Sequence, residues 1–272
     1  LEEQGFRVVG DDFMTFEPKS FGDADKEYDP FTPEAFRRVT RLSQHIAYLK
    51  DFFRAYKDFS DEQLDTLEII LSKLYQNFGI TNYTDYDKLK PTDYPIMEDL
   101  YALLEKEYKG YQHNQKNIYR EETLQELCLG LHSMCVGTES KYFNGHTNII
   151  DDTFLCFGVK GLMDTNRRLK DAMLFNVLSY MTNELLGKGN TVAAIDELYL
   201  FLTNMTAIEY IRNASKRVRK KESSVILASQ NIDDFLIEGV KEYTKPLFSI
   251  PTHQFLFNAG SVEPKVYMDV LQ

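Results

Sequence analysis

From residue 152 onward, short apolar runs alternate with amphipathic stretches, and this alternation restricts the fold more than any other feature of the chain. Residues 153–159, 192–195, 224–228 and 254–257 read as strands, and 162–186, 208–220 and 233–241 between them read as helices. Strands joined through helices run parallel, since a tight turn only reverses the chain, and a sheet built this way is covered on both faces. The expected fold class is therefore α/β with a mostly parallel sheet.

The first half follows another grammar. Residues 6–9 (Phe-Arg-Val-Val) read as a short strand, and the acidic stretch from Asp11 to Asp29 has no period and reads as an irregular connection. Thr32 and Pro33 open a helical region that continues to Phe59: the threonine can cap, and proline at the first helical position gives up an N–H that would have had no partner. Ser60 with Gln63 makes a capping box, and Leu64, Leu67, Ile70, Leu71 and Leu74 share one helical face before Gly79 stops it. Residues 80–91 form a Tyr-, Asp- and Thr-rich loop, Pro95 opens a helix carrying Ile96, Leu100, Leu103 and Leu104, and another helix covers 120–134. The division expected is a strand and connection over 1–30, an all-α subdomain over 31–150 and an α/β region over 151–272. With 43% hydrophobic residues among 272, the chain has material for packed cores and lacks the composition of a disordered protein.

Forty-two acidic residues against 31 basic ones leave a net charge of −11, which argues against a surface that grips nucleic acid all over and leaves room for a local basic patch. Cys128, Cys135 and Cys156 cannot all pair and none stands in a C-x-x-C spacing, so a reducing, cytoplasmic setting is expected. No window of about 18 apolar residues occurs, and Leu1-Glu2-Glu3-Gln4 lacks the basic start of a signal peptide, so membrane association is expected to come through partners. Starting without Met, the chain reads as a piece of a longer one. His45, His113, His132, His146 and His253 show no metal-binding spacing and are given structural roles. Tyr83, Tyr86 and Tyr94 in the loop read either as a partner surface or as surface packing.

The chemistry concentrates at one strand end. Val192-Ala193-Ala194-Ile195 runs straight into two carboxylates, Asp196 and Glu197. Ligands of an open α/β sheet gather at the carboxyl ends of its strands, which puts both acids at the expected site edge. In P-loop NTPases such an Asp holds Mg²⁺, usually through water, and a following Glu orients and deprotonates the water that attacks the γ-phosphate. The plainer alternative is that the pair caps the next segment. The following strand ends Ala228-Ser229-Gln230-Asn231, bringing an amide to the same edge, either to bond a phosphate or the attacking water or as a structural side chain. Between them lie Arg212, Lys216, Arg217, Arg219, Lys220 and Lys221 on the last turns of a helix. Cations favour a helix C-terminus and most such runs are solvated; the functional alternatives are an arginine supplied to a nucleotide in a neighbouring subunit, or contact with a polyanion.

Three strings, Val192-Ala-Ala-Ile-Asp-Glu-Leu-Tyr-Leu-Phe-Leu202, Lys216-Arg-Val-Arg-Lys220 and Ile226-Leu-Ala-Ser-Gln-Asn-Ile-Asp-Asp-Phe-Leu236, taken with their spacing, resemble the C-terminal motor domain of type IV secretion and conjugative-transfer ATPases of the VirB/TraE type. Upstream, Tyr28-Asp-Pro-Phe31 resembles that family's entry to its helical insertion, Pro95-Ile-Met-Glu-Asp-Leu-Tyr101 a helix start within it, and Phe143-Asn-Gly-His-Thr-Asn148 the turn before the strand at 153–159. The resemblance implies a RecA-like P-loop NTPase core of the HerA/FtsK superfamily with an all-α insertion, normally hexameric. ATP and Mg²⁺ would be its cofactors, other secretion-channel components its partners, and the inner face of the cell membrane its place, reached through those partners. It implies that Asp196, in a Walker B-type pair, coordinates Mg²⁺ through water, that Glu197 is the general base, that Gln230 senses the γ-phosphate, and that Arg217 or Arg219 acts across a subunit interface.

One element of the family is missing. The phosphate-binding (Walker A) loop, G-x-x-x-x-G-K-[ST], occurs nowhere in the 272 residues. Lys19-Ser20 lacks the preceding glycines, and Gly187-Lys-Gly-Asn-Thr191 sits between a helix and the following strand, the wrong side of a strand for a phosphate loop, so it reads as a turn. Residues 1–10 resemble the segment after that loop, which places the loop upstream. Two further readings are a DNA-translocating ATPase of the same superfamily and a non-catalytic interaction scaffold.

Overall fold

The capping box expected at Ser60 is formed: its Oγ accepts from the Gln63 N–H at 3.3 Å, and its own N–H donates to Gln63 Oε1 at 2.8 Å. In the computed structural model, which describes residues 7–9, 41–113, 117–146, 153–202, 204–235, 239, 241–255 and 257, this box opens the second helix. The expected helix start at Thr32-Pro33 and the acidic connection from Asp11 to Asp29 lie outside the described residues. The chain divides into two compact units, Leu1–Met173 and Leu174–Gln272.

In the first unit, α1 (Arg41–Tyr56) lies against α2 (Asp61–Asn77), and α3 (Met97–Lys109) lies along α4 (Glu121–Cys135), followed by the single turn α5 (Ser140–Phe143). The apolar face read for α2 is the buried one: Leu64, Leu67, Ile70, Leu71 and Leu74 are all in the core. Each such side chain removed from water contributes about 1.5–3 kcal/mol, so tertiary burial rather than intrinsic propensity holds these helices. Gly79, at φ +72°, turns the chain out of α2, a conformation glycine reaches without a β-carbon clash. Phe52 and Tyr56 of α1 meet Phe143 edge-on, with ring centroids 5.9 and 5.8 Å apart. The Tyr56 hydroxyl donates to Glu139 Oε2 at 2.5 Å, and Asn166 Nδ2 donates to the other oxygen of that carboxylate at 2.7 Å. Of the three loop tyrosines, Tyr86 and Tyr94 are buried and only Tyr83 is exposed, so the three do not form one surface.

β1 (Arg7–Val9) pairs in parallel with β2 (Leu155–Phe157), Val8 opposite Cys156. Helices α1 to α5 therefore fall, in sequence, between two adjacent parallel strands.

The boundary between units falls within α6 (Arg167–Asn183), which ends in a π-helical turn over Glu184–Lys188. β3 (Val192–Ile195) follows, then a 3₁₀ turn, Leu198–Leu200, and α7 (Met205–Arg217), capped by Asn204, whose Oδ1 accepts the Ala207 N–H at 3.1 Å. β4 (Ser224–Leu227) is parallel to β3, Ile195 opposite Leu227. Ala193 and Val225 pack on Leu185, Leu186, Ala214 and Val218, whereas Val192 and Ile226 on the other face are 68% and 57% exposed. Among the described residues this strand pair is thus covered on one face rather than on both, and the parallel strands form two two-stranded sheets rather than one.

Two expected elements are not seen among the described residues. Residues 254, 255 and 257 lie outside any strand, with Phe255 and Phe257 80% and 89% exposed: an alternating apolar run becomes a strand only beside a partner, and no described strand pairs with it. Of the helix expected over 233–241, the described residues show a 3₁₀ turn, Ile232–Phe235, and Gly239 at φ +89° just before the short helices α8 (Lys241–Thr244) and α9 (Pro246–Ser249). A left-handed residue cannot continue a right-handed helix. Among the described residues no helix is long and apolar enough to cross a membrane.

Candidate hydrolytic site at the ends of two parallel strands

β3 and β4 end together. The Ala228 N–H donates to the Ile195 carbonyl at 2.9 Å, and the Leu198 N–H donates to the Ala228 carbonyl at 2.9 Å, so the pairing reaches past the strands into the Asp196-Glu197 corner. Ile195 is buried, and two-residue alternation turns Asp196 the other way, into solvent. Glu197 then leaves the extended conformation: φ 55° and ψ 49° place it in the left-handed region, at a cost of about 1–2 kcal/mol for a residue with a β-carbon. The corner is anchored on both sides, by the Glu197 N–H donating to Asp196 Oδ1 at 3.0 Å and by the burial of Leu198 and Leu202 in the following turn.

The bend carries the Glu197 carboxylate to the end of β4, where Gln230 Nε2 donates to Glu197 Oε1 at 2.5 Å. The amide nitrogen must be the atom facing the carboxylate, because the amide oxygen would be repelled there. Glu197 Oε2 is buried and has no hydrogen-bond partner. An unpaired buried carboxylate oxygen is costly in a site that does nothing, and it is where a proton acceptor stands ready.

Three of the sequence-predicted residues, Asp196, Glu197 and Gln230, are therefore brought to one edge. Arg217 and Arg219 are not. Arg217 ends α7 and Arg219 lies in the 3₁₀ turn after it (Val218–Lys221), both exposed along with Lys216, Lys220 and Lys221. That turn is tied to the starts of the strands, the Asn190 N–H donating to the Lys221 carbonyl at 2.9 Å. Ser223 Oγ donates to the Leu185 carbonyl at 2.8 Å and accepts the Thr191 N–H at 3.2 Å. Roughly 13 Å of strand separates this end from the carboxylates. Arg212, in mid-helix, has a buried Nε without a partner.

Sequence reasoning missed this knot, although one signal was present: Gly189, at φ +72°, sits where a β-carbon would come within 2.8 Å of the Lys221 carbonyl oxygen, and it lies in the Gly-Lys-Gly-Asn string read as a turn. Nothing local announces the left-handed Glu197, which the pairing of β3 with β4 imposes.

Among the described residues no group of three or more His, Cys, Asp or Glu could hold a metal ion. One exposed carboxylate, Asp196, suits Mg²⁺, which keeps several waters and is bound through one or two carboxylates plus substrate phosphates. The orphaned Glu197 oxygen beside it suits a water-activating base. Asp196, Glu197 and Gln230 thus form a candidate site at one strand edge, while the sequence contains no phosphate-binding loop.

The fold is similar to that of VirB4 of Thermoanaerobacter pseudethanolicus, with a TM-score of 0.79 and 26% identity over a match covering 99% of this chain and 69% of that one. No family model matches the chain, and no curated protein matches it. The structural likeness bears out the resemblance to VirB/TraE-type secretion ATPases carried by the strings around Asp196 and Gln230.

Proposed function

We propose that this chain, VirB4-like over 99% of its length, belongs to the ATP-hydrolysing motor of a type IV secretion or conjugation system. The observation that carries the reading is the joining of Asp196, Glu197 and Gln230 at the carboxyl ends of two parallel strands, where such sheets bind ligands. On this reading residues 1–30 and 151–272 form a RecA-like core and residues 31–150 an all-α insertion. Asp196 would hold Mg²⁺, which when bound would supply positive charge to the phosphates. Glu197 orients the attacking water and takes its proton at Oε2, and Gln230 stands at the γ-phosphate end. Arg217 or Arg219 serves the site of a neighbouring subunit, since within one chain both lie at the wrong end of the strands. ATP and the other channel components are the partners implied, at the inner face of the membrane, with a hexamer as the assembly.

Glu197→Gln in the complete protein should lower turnover by about 10²–10⁴-fold while leaving Mg-ATP binding intact; near-wild-type hydrolysis would remove Glu197 from the role. Titration of Mg-ATP into the chain as it stands should give no measurable heat, since no phosphate-binding loop is present, and micromolar binding would require a phosphate site elsewhere. A DNA-translocating motor is the second reading, favoured by five exposed cations within residues 216–221. DNA-stimulated hydrolysis that falls steeply with salt would select it.

A further inference from the structure

The Gln230 amide is engaged by Glu197, and two independent features show that the fold accepts costs to arrange this. Continued β alternation would return Glu197 to the side of buried Ile195; the left-handed bend at φ 55° instead swings it across to β4. Burial then leaves Oε2 without a partner while Oε1 takes the Gln230 N–H. The two oxygens of one carboxylate are thereby made unequal, one engaged by the Gln230 amide and one buried without a partner.

We propose that Gln230 is a positioning residue that acts on hydrolysis through Glu197: its amide N–H locks Oε1 so that Oε2 alone is presented to the attacking water. This goes beyond γ-phosphate sensing and rests on the reading of Glu197 as general base. A carboxylate free to rotate about its terminal torsion spreads its acceptor lone pairs over many directions. A single strong donor at one oxygen removes that freedom before the water arrives, which is how preorganisation lowers a barrier without tightening substrate binding. No bond is made or broken by Gln230; the proton passes from water to Glu197 Oε2 as the water oxygen bonds to the γ-phosphorus and the bond from that phosphorus to the bridging oxygen breaks, ADP leaving with the electron pair.

The experiment uses the complete protein and the variants Gln230→Met, which keeps length and removes the donor, and Gln230→Asn, which keeps the amide and falls short of Glu197. Gln230 is exposed, and unchanged melting temperatures would show that folding is preserved in both variants. Positioning predicts that each variant loses about 10–100-fold in kcat, with the ATP and ADP affinities and their ratio changed less than threefold. It also predicts that Gln230→Met adds no further loss in a Glu197→Gln background, measured by single-turnover hydrolysis. A selective loss of ATP affinity over ADP, or multiplied losses in the double variant, would overturn the proposal in favour of direct phosphate contact. Unchanged kcat in both variants would overturn it as well, while a dead Glu197→Gln enzyme would leave the motor assignment standing. If Glu197→Gln itself turns over normally, the assignment of the base falls first, and the two failures are distinguished.

Discussion

Glu197 is held at a backbone angle that glycine would take freely, so its stability and its role pull in opposite directions. Glu197→Gly and Glu197→Ala both remove the carboxylate, but only glycine relieves the angle; the Gly variant should be the more stable of the two by about 1 kcal/mol. Equal urea midpoints would mean that the bend carries no strain. A second residue-scale device sits in the helical unit. Lys73 Nζ donates to Glu107 Oε2 at 3.0 Å and to the Tyr119 hydroxyl oxygen at 2.8 Å, and Tyr119 donates to Glu107. Burial works against the Glu107 charge, yet the hydrogen bonds from Tyr119 and Lys73 outweigh it and hold this carboxyl below its ordinary range. A lowered carboxyl pKa contributes stability that is full above the ordinary glutamate range and is lost as pH falls through the lowered value. The melting temperature of the wild type should therefore drop more steeply on acidification than that of Glu107→Gln, and parallel curves would sink this account.

Elements divide by whether their determinants are local. α2 was legible because its cap, its apolar stripe and its stop at Gly79 all lie within the segment, and Ser60→Ala should cost about 1 kcal/mol in chemical denaturation. The stretch 233–241 was not legible: its apolar spacing suits a helix, and only the backbone at Gly239 shows that the chain turns there. Gly189 marks the same limit at the strand starts. Gly189→Ala adds the strain of a β-carbon at φ +72° to a 2.8 Å approach to the Lys221 carbonyl oxygen, so a loss of about 2–3 kcal/mol is expected. A loss under about 0.5 kcal/mol, the ordinary surface range, would show that the turn relaxes freely.

For the whole molecule, Arg217 and Arg219 stand at the opposite end of the strands from Glu197, so the proposed role for them at this site is one between copies. Mixing inactive Glu197→Gln subunits with inactive Arg217→Ala/Arg219→Ala subunits in equal amounts should restore activity at about a quarter of head-to-tail interfaces; no recovery in verified mixed assemblies would exclude the trans role. What the sequence by itself determined were the parallel α/β region, the helical block before it, and Asp196, Glu197 and Gln230 as strand-end residues, because strand and helix periods and the placement of polar groups at strand ends are local properties. Only the tertiary structure decided that Gln230 grips Glu197, that Glu197 bends to meet it, that Phe255 and Phe257 stay outside any strand, and that the arginines stand at the opposite end. These depend on which strands pair and in what register, and pairing is a contact between residues far apart in the chain, written in no single segment of it.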